Sequence, residues 1–171
     1  GNFAKNIQKW KASDEKGNPL RFEKITKDLW KIATGGVSEV HVNYNYYAAE
    51  LNAGSTYLDE SQLYVNPVNC CVYVPGRMHE ACELQVIVPG DYTIAIGRLA
   101  STTLKEKKNN TFLFDNYHEL ADAPFIASNT LQYQQFECGE FEFYIWFQGE
   151  CNPDWTTIIH DFKKFITEQL F

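Results

Sequence analysis

From Val40 to Tyr46 the chain alternates strictly. Val40, Val42, Tyr44 and Tyr46 fall on one face of an extended strand, and His41, Asn43 and Asn45 fall on the other. A helix cannot keep that pattern on one side, and the β-branched and aromatic residues fit a pleated, half-buried surface. A strand over residues 37–49 follows. The same reading extends along most of the chain. Residues 8–12 and 20–25 flank the polar turn Asp14-Glu15-Lys16-Gly17-Asn18-Pro19, and residues 29–33 stop at Gly35-Gly36. Residues 70–74 end at Pro75-Gly76. Residues 83–88 and 92–97 flank Pro89-Gly90-Asp91 and read as consecutive neighbours. Residues 111–114 form a short strand. Residues 131–138 and 140–148 form a hairpin around Gly139, with Phe141, Phe143, Ile145 and Phe147 on one face. Residues 52–69 are irregular and read as the longest loop, a place where function concentrates. Lys105-Glu106-Lys107-Lys108-Asn109-Asn110 reads as a solvated loop.

Two segments break the pattern. Residues 115–122 have room for one or two helical turns, with Asp115 as N-cap and Pro124 as the stop. After Asn152-Pro153, an N-cap and a first-turn proline, the period becomes helical. Trp155, Ile158, Ile159, Phe162, Phe165, Ile166 and Leu170 form one stripe, which predicts an amphipathic helix over 153–170, docked through Trp155, Ile158, Ile159, Phe162 and Ile166. The expectation is an all-β fold: a sandwich of about nine to eleven antiparallel strands with one C-terminal helix.

With 171 residues, one domain spanning 1–171 is expected. Hydrophobic residues at 44% and aromatic residues at 15% exclude a disordered chain. The net charge of −7 excludes a broad nucleic-acid surface, which needs clustered Lys and Arg. No segment approaches the ~20 apolar residues of a membrane helix. The five cysteines, Cys70, Cys71, Cys82, Cys138 and Cys151, read as small buried hydrophobes; a bridge from Cys70 or Cys71 to Cys82 is open but not implied. The chain starts at Gly1, and its single methionine is Met78, so a piece of a larger polypeptide, truncated at both ends, is expected.

The chemistry-bearing motifs are sparse. His118-Glu119-Leu120-Ala121-Asp122 has Asp where the zinc motif H-E-x-x-H needs its second imidazole. His79-Glu80 reads as a surface loop, and His41 and His160 as exposed histidines. There is no G-x-S-x-G, and Gly35-Gly36 leads into a strand rather than a helix, so it is no phosphate loop. No catalytic residue and no metal ligand is assigned. The aromatic runs at 44–47 and 141–147 fit a sandwich core better than a carbohydrate platform.

Three stretches carry a resemblance. The first is Asn2-Phe3-Ala4-Lys5-Asn6-Ile7 with the Lys11-to-Leu20 turn, Lys24-Ile25 and Leu29-Trp30-Lys31-Ile32. The second is Val40-His41-Val42-Asn43-Tyr44-Asn45-Tyr46-Tyr47-Ala48 with Leu58-Asp59-Glu60. The third is Tyr117-His118-Glu119-Leu120-Ala121-Asp122-Ala123-Pro124-Phe125 with the final hairpin and the closing helix through Gln169-Leu170-Phe171. In this order they resemble the N-terminal domain of the glycyl aminopeptidase family of zinc metallopeptidases, over essentially the whole chain. The resemblance implies a non-catalytic domain packed on a thermolysin-like domain, absent here, whose H-E-x-x-H motif binds zinc. That zinc polarises the scissile carbonyl and activates water. It also implies an exported parent, and a loop reaching the substrate cleft. In that loop Asp59, Glu60 and Gln62 supply acceptors for a peptide's free ammonium group and Tyr64 supplies a wall. Relatives tend to have Asp-Ser-Pro where this chain has Asp122-Ala123-Pro124, and often a Thr-His-Gly-like run where it has Ser61-Gln62-Leu63. The other reading is a free-standing carbohydrate- or protein-binding sandwich.

Overall fold

The computed structural model describes residues 3–97 and 110–170. The charged run at 105–110 falls outside them except for Asn110. After a short 3-10 turn at Phe3–Asn6, the described residues form twelve strands: β1 (Ile7–Asp14), β2 (Phe22–Thr26), β3 (Leu29–Ile32), β4 (Val40–Tyr46), β5 (Tyr57–Leu58), β6 (Gln62–Val65), β7 (Cys82–Gln85), β8 (Thr93–Ile96), β9 (Thr111–Phe114), β10 (Phe125–Ser128), β11 (Leu131–Cys138) and β12 (Phe141–Gln148). Three helices accompany them: α1 (Pro67–Cys70), α2 (Tyr117–Ala121) and α3 (Trp155–Leu170). Every strand pairing is antiparallel, in a four-stranded sheet β5-β6-β10-β8 and the pairs β1-β4, β2-β3, β7-β9 and β11-β12. The expected all-β architecture with a C-terminal helix is present.

The core lies between the four-stranded sheet and the β7-β9 pair. Val65 and Phe125 from the sheet meet Phe112 and Phe114 of β9, while Tyr117, Leu120 and Ala123 close the space from α2 and its exit. Register explains which residues enter it. Val65 stands opposite Phe125, and Phe125 opposite Ile96; two residues on, Leu63, Ala127 and Ile94 line up on the same face.

Several expected elements differ. Residues 52–69 are not one loop, because they contain β5, β6 and α1. Strand β6 is flanked on both sides by β5 and β10, and its end residues Gln62 and Val65 are both buried. A strand covered on both faces shows no polar–apolar alternation to read. Strand β10 was not expected for the same reason, since Phe125, Ala127 and Ser128 are all buried.

Residues 70–74 were expected as a strand, but Pro67 starts a helical turn that ends at Cys70, with the Cys71 amide bonded to the Pro67 carbonyl at 2.8 Å. The carbonyls that a ladder would have used are taken by side chains. The Tyr44 hydroxyl donates to the Cys70 carbonyl at 2.5 Å, and the Tyr117 hydroxyl to the Cys71 carbonyl at 2.8 Å.

The strands around Pro89-Gly90-Asp91 do not pair with each other. β7 joins β9 and β8 joins β10, so that corner carries the chain from one layer to the other. The cap of α2 is Asn116 rather than Asp115. Its Oδ1 accepts from the Glu119 amide at 3.1 Å while a Glu119 carboxylate oxygen accepts from the Asp115 amide at 3.1 Å. Helix α3 starts at Trp155 and is capped by Asp154, whose carboxylate takes the Thr157 amide at 3.2 Å and the Thr157 hydroxyl at 2.7 Å.

Helix α3 rests on β11. Ile166 is buried, Trp155 meets Phe147 edge-on at 5.1 Å, and the Lys163 ammonium sits 5.9 Å from the ring of the buried Phe136. Of the expected docking stripe, Phe162 is 45% exposed and does not belong to the buried face. The aromatic run on β12 divides likewise: Phe143, Ile145 and Phe147 are half-buried and Phe141 is exposed. Among the described residues no helix is long and apolar enough to cross a membrane.

Candidate functional site

The turn between β5 and β6 and the first strand residues after it hold the four cleft candidates. Asp59 is committed to the turn itself. Its Oδ1 accepts from the Ser61 amide at 2.8 Å, the Ser61 hydroxyl at 2.8 Å and the Gln62 amide at 2.9 Å. The Ser61 amide and hydroxyl hold its carboxyl below the ordinary 3.8, with help from Gln62 and Tyr57. Glu60, at the apex, is exposed, and its backbone carbonyl accepts from the Tyr92 hydroxyl at 2.9 Å. That bond ties the turn to the residue preceding β8.

Gln62 and Tyr64 share one face of β6. Gln62 is buried opposite Ser128 in register, and Ser128 fastens the same turn by donating its hydroxyl to the Ser61 carbonyl at 2.7 Å. Tyr64 is half-buried and donates its hydroxyl to the Ala53 carbonyl at 3.0 Å. The turn is therefore held rigidly, with Glu60 as its outward carboxylate and Asp59 as its internal fastener. A rigid element presents an acceptor at lower entropic cost than a mobile loop.

The histidines of the two His-Glu pairs face a common depression. His79, from the turn before β7, and His118 of α2 line one open depression with Met78, Asn116 and Gly76. The Tyr117 amide bonds the Met78 carbonyl at 2.9 Å, and a bidentate Arg77–Glu80 pair at 2.7 and 2.5 Å shapes the turn. Among the described residues no group of three His, Cys, Asp or Glu is placed to hold a metal ion. The residues described here therefore do not fit a zinc centre, and no step is assigned to one in this chain. His41 pairs with Glu39 at 3.1 Å, and His160 is exposed.

Cys70, Cys71 and Cys82 pack against the core as partly buried thiols, and all five cysteines are free. The neighbouring Cys71 thiol and burial push the Cys70 thiol up, which makes it a poor nucleophile.

Sequence reasoning missed a half-open pocket of about 150 Å³ between the Phe3–Asn6 turn, the end of β4, the 54–56 segment and α1. Its walls come from segments far apart in the chain, so no local pattern signals it.

Comparison with known proteins gives two findings. The family model described as the peptidase M61 N-terminal domain matches residues 1–129. Among solved structures, an aminopeptidase N family protein from Idiomarina loihiensis is similar with a TM-score of 0.84 and 28% sequence identity, covering 95% of this chain and 28% of that one. The chain thus spans little more than a quarter of that protein's length. No curated protein matches the chain.

Proposed function

The chain belongs to the peptidase M61 N-terminal domain family, and from that premise we propose that it is the non-catalytic β-sandwich domain of a zinc-dependent aminopeptidase of the glycyl aminopeptidase kind. In this reading it packs on a separate catalytic domain of its own polypeptide and walls one side of the peptide cleft. One observation carries the proposal. A single, much longer aminopeptidase family chain holds a region that follows this fold over 95% of its length. Zinc, supplied by the catalytic domain, would polarise the scissile carbonyl there. The role of this chain's residues is to position the substrate. Glu60, exposed on a turn fixed by Asp59, Tyr92 and Ser128, offers a charge-assisted hydrogen bond to a free α-ammonium group. Gln62 and Tyr64 support that turn from the strand behind it.

The test uses the full-length parent. Glu60→Gln lowers kcat/KM for peptides with a free amino terminus and spares N-acetylated ones. A loss of about 1.5–3 kcal/mol, the worth of a hydrogen bond to a charged group, is expected. Equal kinetics on both substrate types removes the turn from the cleft and leaves the domain a support.

A further inference from the structure

Residues 131–170 form a unit of their own. β11 and β12 pair only with each other, and α3 rests on β11. Among the described residues, the side-chain hydrogen bonds and ring contacts of this stretch stay within it or reach Thr130 at its entry. Phe147 meets Trp155, Tyr133 meets Trp146, and Gln148 reaches Thr130. None of its residues enters the core around Phe114. Domain boundaries fall where few contacts cross. The family match ends at the same place, at residue 129. Two independent observations therefore put a boundary between β10 and β11.

The unit is short of cover. A two-stranded hairpin is marginally stable in water until something packs on it. Helix α3 covers the β11 side of one face. There Phe136 is buried, and the Cys138 thiol donates to the Lys163 carbonyl at 3.8 Å and stands 3.5 Å from the Thr167 hydroxyl. Phe141 and Phe143 of β12 stand opposite Cys138 and Phe136 in register, so they share that face, yet Phe141 is 50% exposed. The apolar stripe of α3 is also wider than its contact, because Phe162 and Phe165 are 45% and 61% exposed. At ~100° per residue, Phe165 lies about 160° around the helix from Thr167, which is on the side that meets β11. An exposed apolar face of this kind marks an interaction surface.

We propose that this face, carried by Phe141, Phe143, Phe162 and Phe165, docks the polypeptide that follows residue 171. Residues 131–170 are then the first elements of the next folded unit rather than the last of the sandwich. Length and place argue for that occupant. The similar aminopeptidase family chain is matched over only 28% of its length, and α3 runs to Leu170, so a chain that continues leaves from the unit that carries this face. A segment tethered there docks at high effective concentration. The inference rests on the proposed function only in taking a longer polypeptide as the parent; it uses neither zinc nor Glu60.

The experiment is amide hydrogen exchange, read by mass spectrometry, on the 171-residue chain and on the full-length parent. In the 171-residue chain, Ile166→Ala should speed exchange about tenfold across β11, β12 and α3 and leave β6, β8 and β10 unchanged, because the unit opens by itself. In the parent, α3 and β12 should exchange about tenfold more slowly than in the short chain, while β6, β8 and β10 behave alike in both. Phe165→Asp should leave the melting temperature of the short chain unchanged and abolish the added protection in the parent. Exchange that quickens through β6, β8 and β10 in Ile166→Ala overturns the proposal, as does equal exchange of α3 in short chain and parent. A short chain that sediments as a dimer, and as a monomer once Phe165→Asp is made, also overturns it and assigns the face to a second copy. None of these measurements reads peptidase activity, so their failure and the failure of the Glu60→Gln test are distinguishable.

Discussion

The indole of Trp10 lies flat on that of Trp30, with ring centroids 4.4 Å apart and planes 9° from parallel. Tyr44 also stacks on Trp10, at 5.4 Å, and the Lys24 ammonium stands 4.7 Å from the Trp30 ring centre. The stack fastens the β2-β3 hairpin to the β1-β4 pair, where β2 is otherwise exposed along its whole length. A register shift between Gln8 and Lys11, with Lys9 at φ 52°, sits beside Trp10 in β1.

Trp30→Ala should therefore lower stability by about 2 kcal/mol, less than for a fully buried tryptophan because the side chain is only half-buried. Trp10 Nε1 is buried with no partner among the described residues, so Trp10→Phe removes an unpaired donor and should cost less than Trp10→Ala. Chemical denaturation of the three variants checks the order. Equal stability of Trp30→Ala and the parent chain would show the hairpin to be an unattached arm.

Helix α3 gives a second contrast. Ile166 is buried against β11, whereas Phe162 is 45% exposed. Ile166→Ala should cost about 2–4 kcal/mol and Phe162→Ala under about 1 kcal/mol, despite the larger side chain lost. Thermal unfolding of the two variants measures this. A larger loss at Phe162 would mean that the helix docks through the face it exposes here.

Strands with one covered face were legible in the sequence, because burial on one side and water on the other writes an alternating code. β4 and the β11-β12 hairpin are the clear cases. β6 and β10 were illegible because each is only four residues long and buries residues on both faces, so polarity does not mark an inner and an outer side. The α1 turn was misread because Cys-Cys-Val-Tyr-Val reads as strand, while two distant tyrosine hydroxyls satisfy the Cys70 and Cys71 carbonyls. At the site, the acceptors Asp59, Glu60 and Gln62 were visible as residue types. Their division of labour was not: Asp59 spends its carboxylate on Ser61, and Gln62 lies beneath the turn. The Lys5–Glu50 ion pair, 3.8 Å apart, joins chain segments that only the fold brings together.

Tyr117 gives an alkaline test. Burial pushes its phenol up from 10.0 to about 12, helped by the neighbouring Cys71 thiol. Between those values the unfolded chain has released the proton and the folded chain still holds it, so stability is complete below pH 10 and falls as pH rises toward 12. Tyr117→Phe removes the bond to the Cys71 carbonyl, costs about 1 kcal/mol at neutral pH, and should flatten the fall above pH 10. Denaturation midpoints at neutral and alkaline pH decide it; an identical alkaline slope in both proteins excludes Tyr117 as a contributor.

The chain alone should hydrolyse no aminoacyl substrate, with or without added zinc. Tetrahedral zinc catalysis needs three protein ligands and an open position, and the described residues hold no such set. Turnover that survives repurification and is abolished by a chelator would contradict this.

The Asp59 turn gives an acid test that separates support from substrate contact. Because the Ser61 amide and hydroxyl hold the Asp59 carboxyl below 3.8, its contribution to stability is present above that value and is lost as pH falls through the lower folded value. Asp59→Asn should therefore lower the melting temperature at neutral pH and narrow the gap to the parent chain as the medium is acidified. Glu60→Gln should leave the melting temperature unchanged at neutral pH, since that side chain is exposed. An Asp59→Asn chain as stable as the parent would mean that Asp59 does not fasten the turn. The rigid presentation of Glu60 would then have to come from Tyr92 and Ser128 alone.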